Sequence, residues 1–484
     1  MRLPRSFAVF IAGCFPVVVA ACVADEPTSS APDFDAATGT DAAIPQESSV
    51  FEAGGGDATT GTPRMTAVGM GSFSACAIGT DGSVWCWGAN TFGALGVTPL
   101  GPVRPQAKPV PGIPSMIAVS VGSTHVCAVS STNDVWCWGS NFSGELGHDP
   151  ATDSSCGANF PCSGTPTQVL GIKAVQVAAL SETTCALTTT GDVTCWGRGD
   201  SGLLGLGAPG DAGALPQPTT KGFMPVPIQG FPAGGVATLG GSSWPGTTAC
   251  AILTSNGEVR CWGNDTVQGL GHPAGPGDVA VPGGNCANGC NATPESVVFA
   301  DGGVLQNMFS VAGSFTNCAF GSAAGQLYCW GSNGCGQLSN GGVGSDGGAL
   351  SSSSSPAVAL GSPVAEVSGA DAMCAVLQSH EVVCWGDDTK GIVGASTPSA
   401  CAYTNEGSAG IGTSVVRAQP ASLRAVSVSV GQFAAAAVDE DGHVQAWGQN
   451  GLTGVLGHQP GSGHDDSTAN NRDPVPDYVD GLGP

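Results

Sequence analysis

Asp81-Gly82-Ser83-Val84-Trp85-Cys86-Trp87-Gly88-Ala89-Asn90-Thr91-Phe92-Gly93-Ala94-Leu95-Gly96 is one copy of a phrase that the chain writes seven times. A Cys-Ala-aliphatic run precedes it at Cys76-Ala77-Ile78. The Trp-Gly pair recurs at Trp87, Trp138, Trp196, Trp262, Trp330, Trp385 and Trp447, at spacings of 51 to 68 residues. A period of that size carrying several strand signals marks a propeller or solenoid. Short apolar runs cut by Gly-rich turns read as strands, and helical periodicity is absent.

Each unit holds four strand signals. In the third copy they are Pro166-Thr167-Gln168-Val169, Ala174-Val175-Gln176-Val177, Cys185-Ala186-Leu187 and Val193-Thr194-Cys195-Trp196. Four antiparallel strands make one blade, and a ring of blades buries the faces that one blade cannot. The expectation is an all-β, seven-bladed propeller of four-stranded blades. The first copy lacks a leading Pro-x-x-Val strand, whereas Pro476-Asp477-Tyr478-Val479 ends the chain with that signature. The C-terminal strand is therefore expected to pair into blade 1 and close the ring. The seven Trp residues, all at one strand position before a Gly turn, are read as inter-blade packing rather than as a ligand platform.

The cysteines point to an oxidising compartment. Twelve form pairs around hairpin turns: Cys76 with Cys86, Cys127 with Cys137, Cys185 with Cys195, Cys250 with Cys261, Cys318 with Cys329, and Cys374 with Cys384. Opposed positions on a tight hairpin bring Cβ atoms within bridging distance. The seventh copy has Ala436 and Ala446 instead, so both cysteines are missing together, as bonded pairs require. Cys156 with Cys162 and Cys286 with Cys290 share loops, and Cys335 with Cys401 remain as a pair by elimination.

Domain organisation follows from the N-terminus. Residues 1–21 read as a signal peptide, with Arg2 and Arg5 ahead of an apolar run. Val19-Ala20-Ala21-Cys22 resembles the lipobox of bacterial lipoproteins, which implies acylation of Cys22. Residues 23–63 carry eight acidic residues and no Lys or Arg, and read as a disordered tether. As a flexible coil it spans roughly 35 Å. The propeller occupies 64–484. Thirteen Lys plus Arg against 37 Asp plus Glu give a net charge of −24, which opposes nucleic-acid and anionic-membrane binding. Membrane association is expected through the lipid anchor alone, and the protein as a monomer.

The quoted stretch, echoed at Trp136 to His148 and Cys384 to Gly394, resembles the signature of the regulator of chromosome condensation repeat family. The resemblance covers about residues 65 to 482 and implies a seven-bladed propeller. The nuclear family member exchanges guanine nucleotide on a small GTPase and binds chromatin; the signal segment, cysteines and charge oppose that role here. Secreted bacterial members include a protein inhibitor of β-lactamases, a precedent for a binding scaffold.

Chemistry is sparse in the motifs. His148, His272 and His458 follow the repeated Leu-Gly and read as turn ends. Asp439-Glu440-Asp441-Gly442 begins like a calcium loop but lacks its closing Glu. Arg198-Gly199-Asp200 lies in a repeated turn, and His464-Asp465-Asp466 offers weak cation binding at most. No catalytic, cofactor or metal site is assigned. The stretches after each Gly-x-Leu-Gly vary most: 97–109, 148–165, 206–224, 272–293, 339–355, 395–419 and 458–473. Insertions on one face of a repeat array mark a binding face. The leading function is therefore an extracytoplasmic, lipid-anchored binding scaffold for a protein or cell-surface glycan. The alternative is a secreted hydrolase or lyase with a funnel site built from Asp200, Asp265 and Asp388.

Overall fold

The computed structural model describes residues 62–484 except 99, 157–159, 200, 206–222, 242–247, 266–268, 273–288, 300, 314–315, 322–326, 334, 336, 339–361, 394–422, 451–452 and 459–471. Seven antiparallel units follow one another along the chain. Blade 1 is Met65–Met70, Ser74–Gly79, Val84–Asn90 and Gly101–Pro109, hydrogen-bonded in that order. The other six blades begin at Met116, within Pro161–Ala179, and at Val236, Met308, Val364 and Ala425. Their first strands pack side by side around the axis, and Ala425–Val430 of blade 7 lies against Met65–Met70 of blade 1. The ring is thereby closed as a seven-bladed β-propeller.

Second strands such as Ser74–Gly79 and Thr248–Leu253 are buried at every residue. Neighbouring blades cover both their faces, so these strands read as continuous small and aliphatic runs without polar alternation. The first strand of each blade has a free edge toward the axis. Part of that edge is satisfied between blades: Ser120, Ser368 and Ser429 Oγ accept the N–H groups of Ala179, Val430 and Met70, each at 3.0 Å. Such bonds replace a missing strand partner. Packing there is close enough that a Cβ on Gly71 would overlap the carbonyl oxygen of Gly122.

The closure differs from the sequence expectation. Arg472–Tyr478 pairs with Val444–Gln449 of its own blade, Gln445 opposite Tyr478, and blade 1 takes its fourth strand from Gly101–Pro109. The Pro-x-x-Val strand thus ends the blade before it instead of opening the next. Pairing back onto the strand just left closes a shorter loop and covers that strand's open edge locally. In blades 2 and 3 the two roles are joined in one strand, Pro161–Ala179, which pairs first with Asp134–Ser140 and then with Thr183–Thr188. The C-terminal tail still reaches blade 1: Ala107 N–H donates to the Asp480 carbonyl at 3.1 Å, and Leu482 and Val479 are buried with Ala107.

Candidate binding face

The strand order gives the disc two unlike faces. On one lie the tips between second and third strands, such as Asp81-Gly82, where Gly82 has φ +79° and Asp81 Oδ1 accepts the Ser83 N–H at 2.9 Å. The chain enters the ring on this hairpin face: Met65 N–H donates to Gly442 and Thr80 N–H to Arg64, both at hairpin tips. The opposite face carries the turns between first and second strands and the excursions after each Trp-Gly.

The excursion face is built on one repeated loop. Every Trp at the Trp-Gly position is fully buried. Every one donates its indole N–H to a backbone carbonyl of the preceding blade: Trp87 to Val455, Trp138 to Ala94, Trp196 to Glu145, Trp262 to Leu203, Trp330 to Gly269, Trp385 to Gln337 and Trp447 to Ile392, at 2.7–2.9 Å. Each acceptor is the second residue of a Gly-x-Leu-Gly-type turn. The indoles therefore serve as packing and as latches between blades.

A second device caps the same turn from within. Asn90, Asn141, Asn333 and Asn450 accept a turn N–H through Oδ1 at 3.0–3.2 Å. Asp265 and Asp388 occupy the equivalent positions and accept from Leu270 and Val393 at 3.0 and 2.9 Å. Two of the three carboxylates considered for a funnel enzyme are thus held in turns on separate blades. Asp200 lies outside the described residues.

Six hairpins each carry a disulfide between directly opposed residues: Cys76–Cys86, Cys127–Cys137, Cys185–Cys195, Cys250–Cys261, Cys318–Cys329 and Cys374–Cys384. Cα separations are 4.0–4.1 Å. Ala436 and Ala446 face each other at the same register in blade 7. Cys156 bonds Cys162. Cys290 and Cys335 are also in disulfides, while Cys286 and Cys401 lie outside the described residues. So do Cys22 and the whole of 1–61, which holds the expected signal and all of the expected tether except Thr62 and Pro63.

Of the variable stretches, 97–109 is corrected: Gly101–Pro109 is the fourth strand of blade 1, held in its ladder opposite Val84–Asn90. The stretches 206–224, 272–293 and 458–473 lie largely, and 339–355 and 395–419 wholly, outside the described residues. The excursion 148–165 is described except for 157–159. Pro150–Thr152 forms one 3-10 turn capped by Asp149, and Ser154–Ser155 pairs with Pro161-Cys162 as a small extra ribbon. The disulfide ties the base of that ribbon, and its Phe160 is exposed.

Phe160 does not stand alone. Its ring centroid is 5.4 Å from Phe142 and 6.5 Å from Phe92, so three aromatic rings cluster between blades 1 and 2. Phe142 is 54% and Phe160 43% exposed, unusual for rings of this size. Sequence reasoning missed this trio. The available signal was a bulky ring at Phe92 and Phe142, inside turns where none of the other five copies carries an aromatic residue. Beside Phe142, the buried Glu145 carboxylate accepts Ser140 Oγ and the Ser143 N–H, each at 2.7 Å. Burial pushes its pKa up to about 7, against those hydrogen bonds. Glu182 at the surface accepts Ser143 Oγ at 2.8 Å and Arg198 at 3.1 Å.

Between blade 1 and the excursion lies an open groove of about 520 Å³, lined by Leu100, by Thr98 and by Ser and Thr residues of the excursion. His148 and Asp153 share it, Nε2 to Oδ1 at 2.8 Å, and Asn141 Nδ2 also donates to Asp153. The hydrogen bond to Asp153 holds the His148 pKa above the ordinary imidazole value, against partial burial. His272 and His458 are buried on blades 4 and 7, away from His148 on blade 2. Asp439 Oδ1 accepts the N–H groups of Asp441 and His443 at 3.0 and 2.9 Å, which makes that acidic run a hairpin cap. Glu440 pairs with Arg424 at 3.0 Å and with His380. Among the described residues no three His, Cys, Asp or Glu side chains converge as a metal site. His464, Asp465 and Asp466 lie outside the described residues.

Comparison with known proteins agrees with this geometry. The regulator of chromosome condensation (RCC1) repeat model matches residues 65–94, 116–145 and 174–203, and a second model of the same repeat matches 81–129. The chain carries RCC1 repeats. It is 29% identical over 284 residues to the human E3 ubiquitin-protein ligase HERC2, covering 57% of this chain and 5% of that protein. It is 28% identical over 219 residues to the guanine nucleotide exchange factor SRM1 of Saccharomyces cerevisiae, covering 39% of this chain and 43% of that protein. The chain thus spans less than half the length of these relatives. The crystal structure of Prp20p from S. cerevisiae superposes with TM-score 0.61 at 21% identity, over 83% of this chain and 87% of that one. That likeness concerns the fold. A fold of this kind does not by itself name an activity or a partner.

Proposed function

We propose that this protein is a lipid-anchored, extracytoplasmic propeller that binds a protein or cell-surface glycan on its excursion face. The observation that carries the reading is the cluster in which exposed Phe160, on an excursion tied at its base by Cys156–Cys162, meets exposed Phe142 and partly buried Phe92 of two neighbouring turns. A pinned excursion loses less entropy on engaging a partner, and aromatic side chains dominate binding energy where they anchor an interface. The N-terminal entry at the hairpin face is compatible with this reading, because a flexible tether attached there leaves the excursion face unobstructed. Relatives include a guanine nucleotide exchange factor, but a net charge of −24 and the signal-like N-terminus argue against that activity in a nucleus.

Affinity capture from the native cell envelope, with the soluble propeller as bait, tests this reading. Phe142→Ser with Phe160→Ser should abolish capture while leaving the fold intact, because both rings are exposed. Undiminished capture by that variant refutes the aromatic face. For the anchor, Cys22→Ala should release the protein from the membrane fraction or stop its maturation; unchanged processing and partition would refute lipidation.

A further inference from the structure

We propose that the groove beside the 148–165 excursion is a binding site for a neutral saccharide. This deepens the reading of the excursion face as the binding face and rests on it. The volume of about 520 Å³ lies within the range of small-molecule sites, roughly 300–1,000 Å³. Six hydroxyl-bearing residues line it, Thr98, Thr152, Ser154, Ser163, Thr165 and Thr167, and the hydroxyls of Thr152, Ser163 and Thr167 donate to backbone carbonyls. A hydroxyl both donates and accepts, which matches the hydroxyls of a sugar ring group for group. Those of Thr98, Ser154 and Thr165 have no protein partner among the described residues, so a ligand meets them without breaking an internal bond.

The remaining lining selects against other chemistries. Its described residues include no Lys or Arg, and the Asp153 carboxylate sits among them, so phosphate, sulfate and uronate groups are disfavoured. Aliphatic ligands fare no better, since Leu100 is the one large apolar side chain among the lining residues. A single apolar side chain beside hydroxyl-bearing residues suits the C–H face of a pyranose. The Asp153–His148 pair lines one end, held in place by the 2.8 Å bond between them and by Asn141, and the Asp153 carboxylate oxygens can share a further donor. The ribbon pairing Ser154 with Cys162 fixes both walls before any ligand arrives.

The test uses the soluble propeller with its disulfides intact and four neutral tetrasaccharides: chito-, malto-, cello- and manno-configured. Binding is read by titration calorimetry and by ligand-observed NMR at millimolar sugar. At least one should bind, and a uronic-acid tetrasaccharide should not. Ser154→Ala with Thr165→Val removes two hydroxyls at exposed positions and should weaken that binding about tenfold or more. Circular dichroism confirms that the variant folds. If none of the neutral sugars binds, or if the double variant binds as well as the parent, the site assignment is wrong. The Phe142/Phe160 capture experiment is unaffected by either result, so the scaffold reading and the saccharide site fail separately.

Discussion

Glu366 lies buried on the innermost strand of blade 6, where its carboxyl oxygens accept the Val428 N–H and Ser427 Oγ of blade 7, each at 3.4 Å. Burial raises its pKa well above the ordinary 4.5, against those two hydrogen bonds. Blade 3 shows what this position accepts more readily: Gln176 receives the Leu239 N–H at 3.0 Å and donates to Thr238 Oγ1 at 3.3 Å across the next interface. Glu366→Gln should therefore reproduce the blade 3 arrangement with no charge to desolvate. The sign follows from linkage. Between 4.5 and its higher folded pKa, the native state holds a proton on Glu366 that the unfolded chain has lost. Stability conferred on the parent is full below 4.5 and falls as pH rises through that window. Gln lacks this dependence, so the stability difference between variant and parent should grow by about 1.4 kcal/mol per pH unit through the window and then level off. Urea unfolding at pH steps from acid to neutral, without reductant, measures it. Because only the difference is read, the other carboxylates cancel. Gln176→Glu should show the mirror image, losing stability as pH rises. Parallel curves for parent and Glu366→Gln would refute the reasoning.

Blade 7 is the one hairpin with alanines at the cysteine register. Ala436→Cys with Ala446→Cys should form a disulfide spontaneously and stabilise by about 2 to 3 kcal/mol in the chain-entropy model, seen as a higher thermal midpoint that reductant reverses. Trp196→Phe keeps a buried ring but removes the indole donor to Glu145, which should cost about 1 to 3 kcal/mol in urea unfolding; an unchanged midpoint would show that the latch carries no energy.

The propeller was legible because its signals are local and repeated. A Gly turn between Cys76 and Cys86 sets a hairpin, and a Trp before each Gly sets what the hairpin packs against. The ownership of the Pro-x-x-Val strand was not legible. Its sequence is the same whether it opens one blade or ends the previous one, and only the pairing of Trp85 with Pro109 and Gln445 with Tyr478 decides. The funnel carboxylates failed for a related reason: Asp265 and Asp388 are interchangeable with the Asn of other turns, and capping looks like chemistry in a single sequence. The bulge that shifts the register in every first strand also left no mark, though it leaves Phe309 about half exposed between buried Met308 and Ser310, and Ile117 about half exposed beside buried Met116. The aromatic trio and the groove were beyond reach. Phe92 and Phe160 belong to different blades, and the groove exists only where blade 1 meets the 148–165 excursion.

Hydrogen–deuterium exchange of the propeller, alone and with its captured partner, tests the central claim most directly. The account predicts slowed exchange over 140–165 and 90–98 on the excursion face, with the hairpin tips around Gly82, Gly191 and Gly442 unchanged. Protection confined to those tips, with 140–165 exchanging as in the free protein, would contradict it.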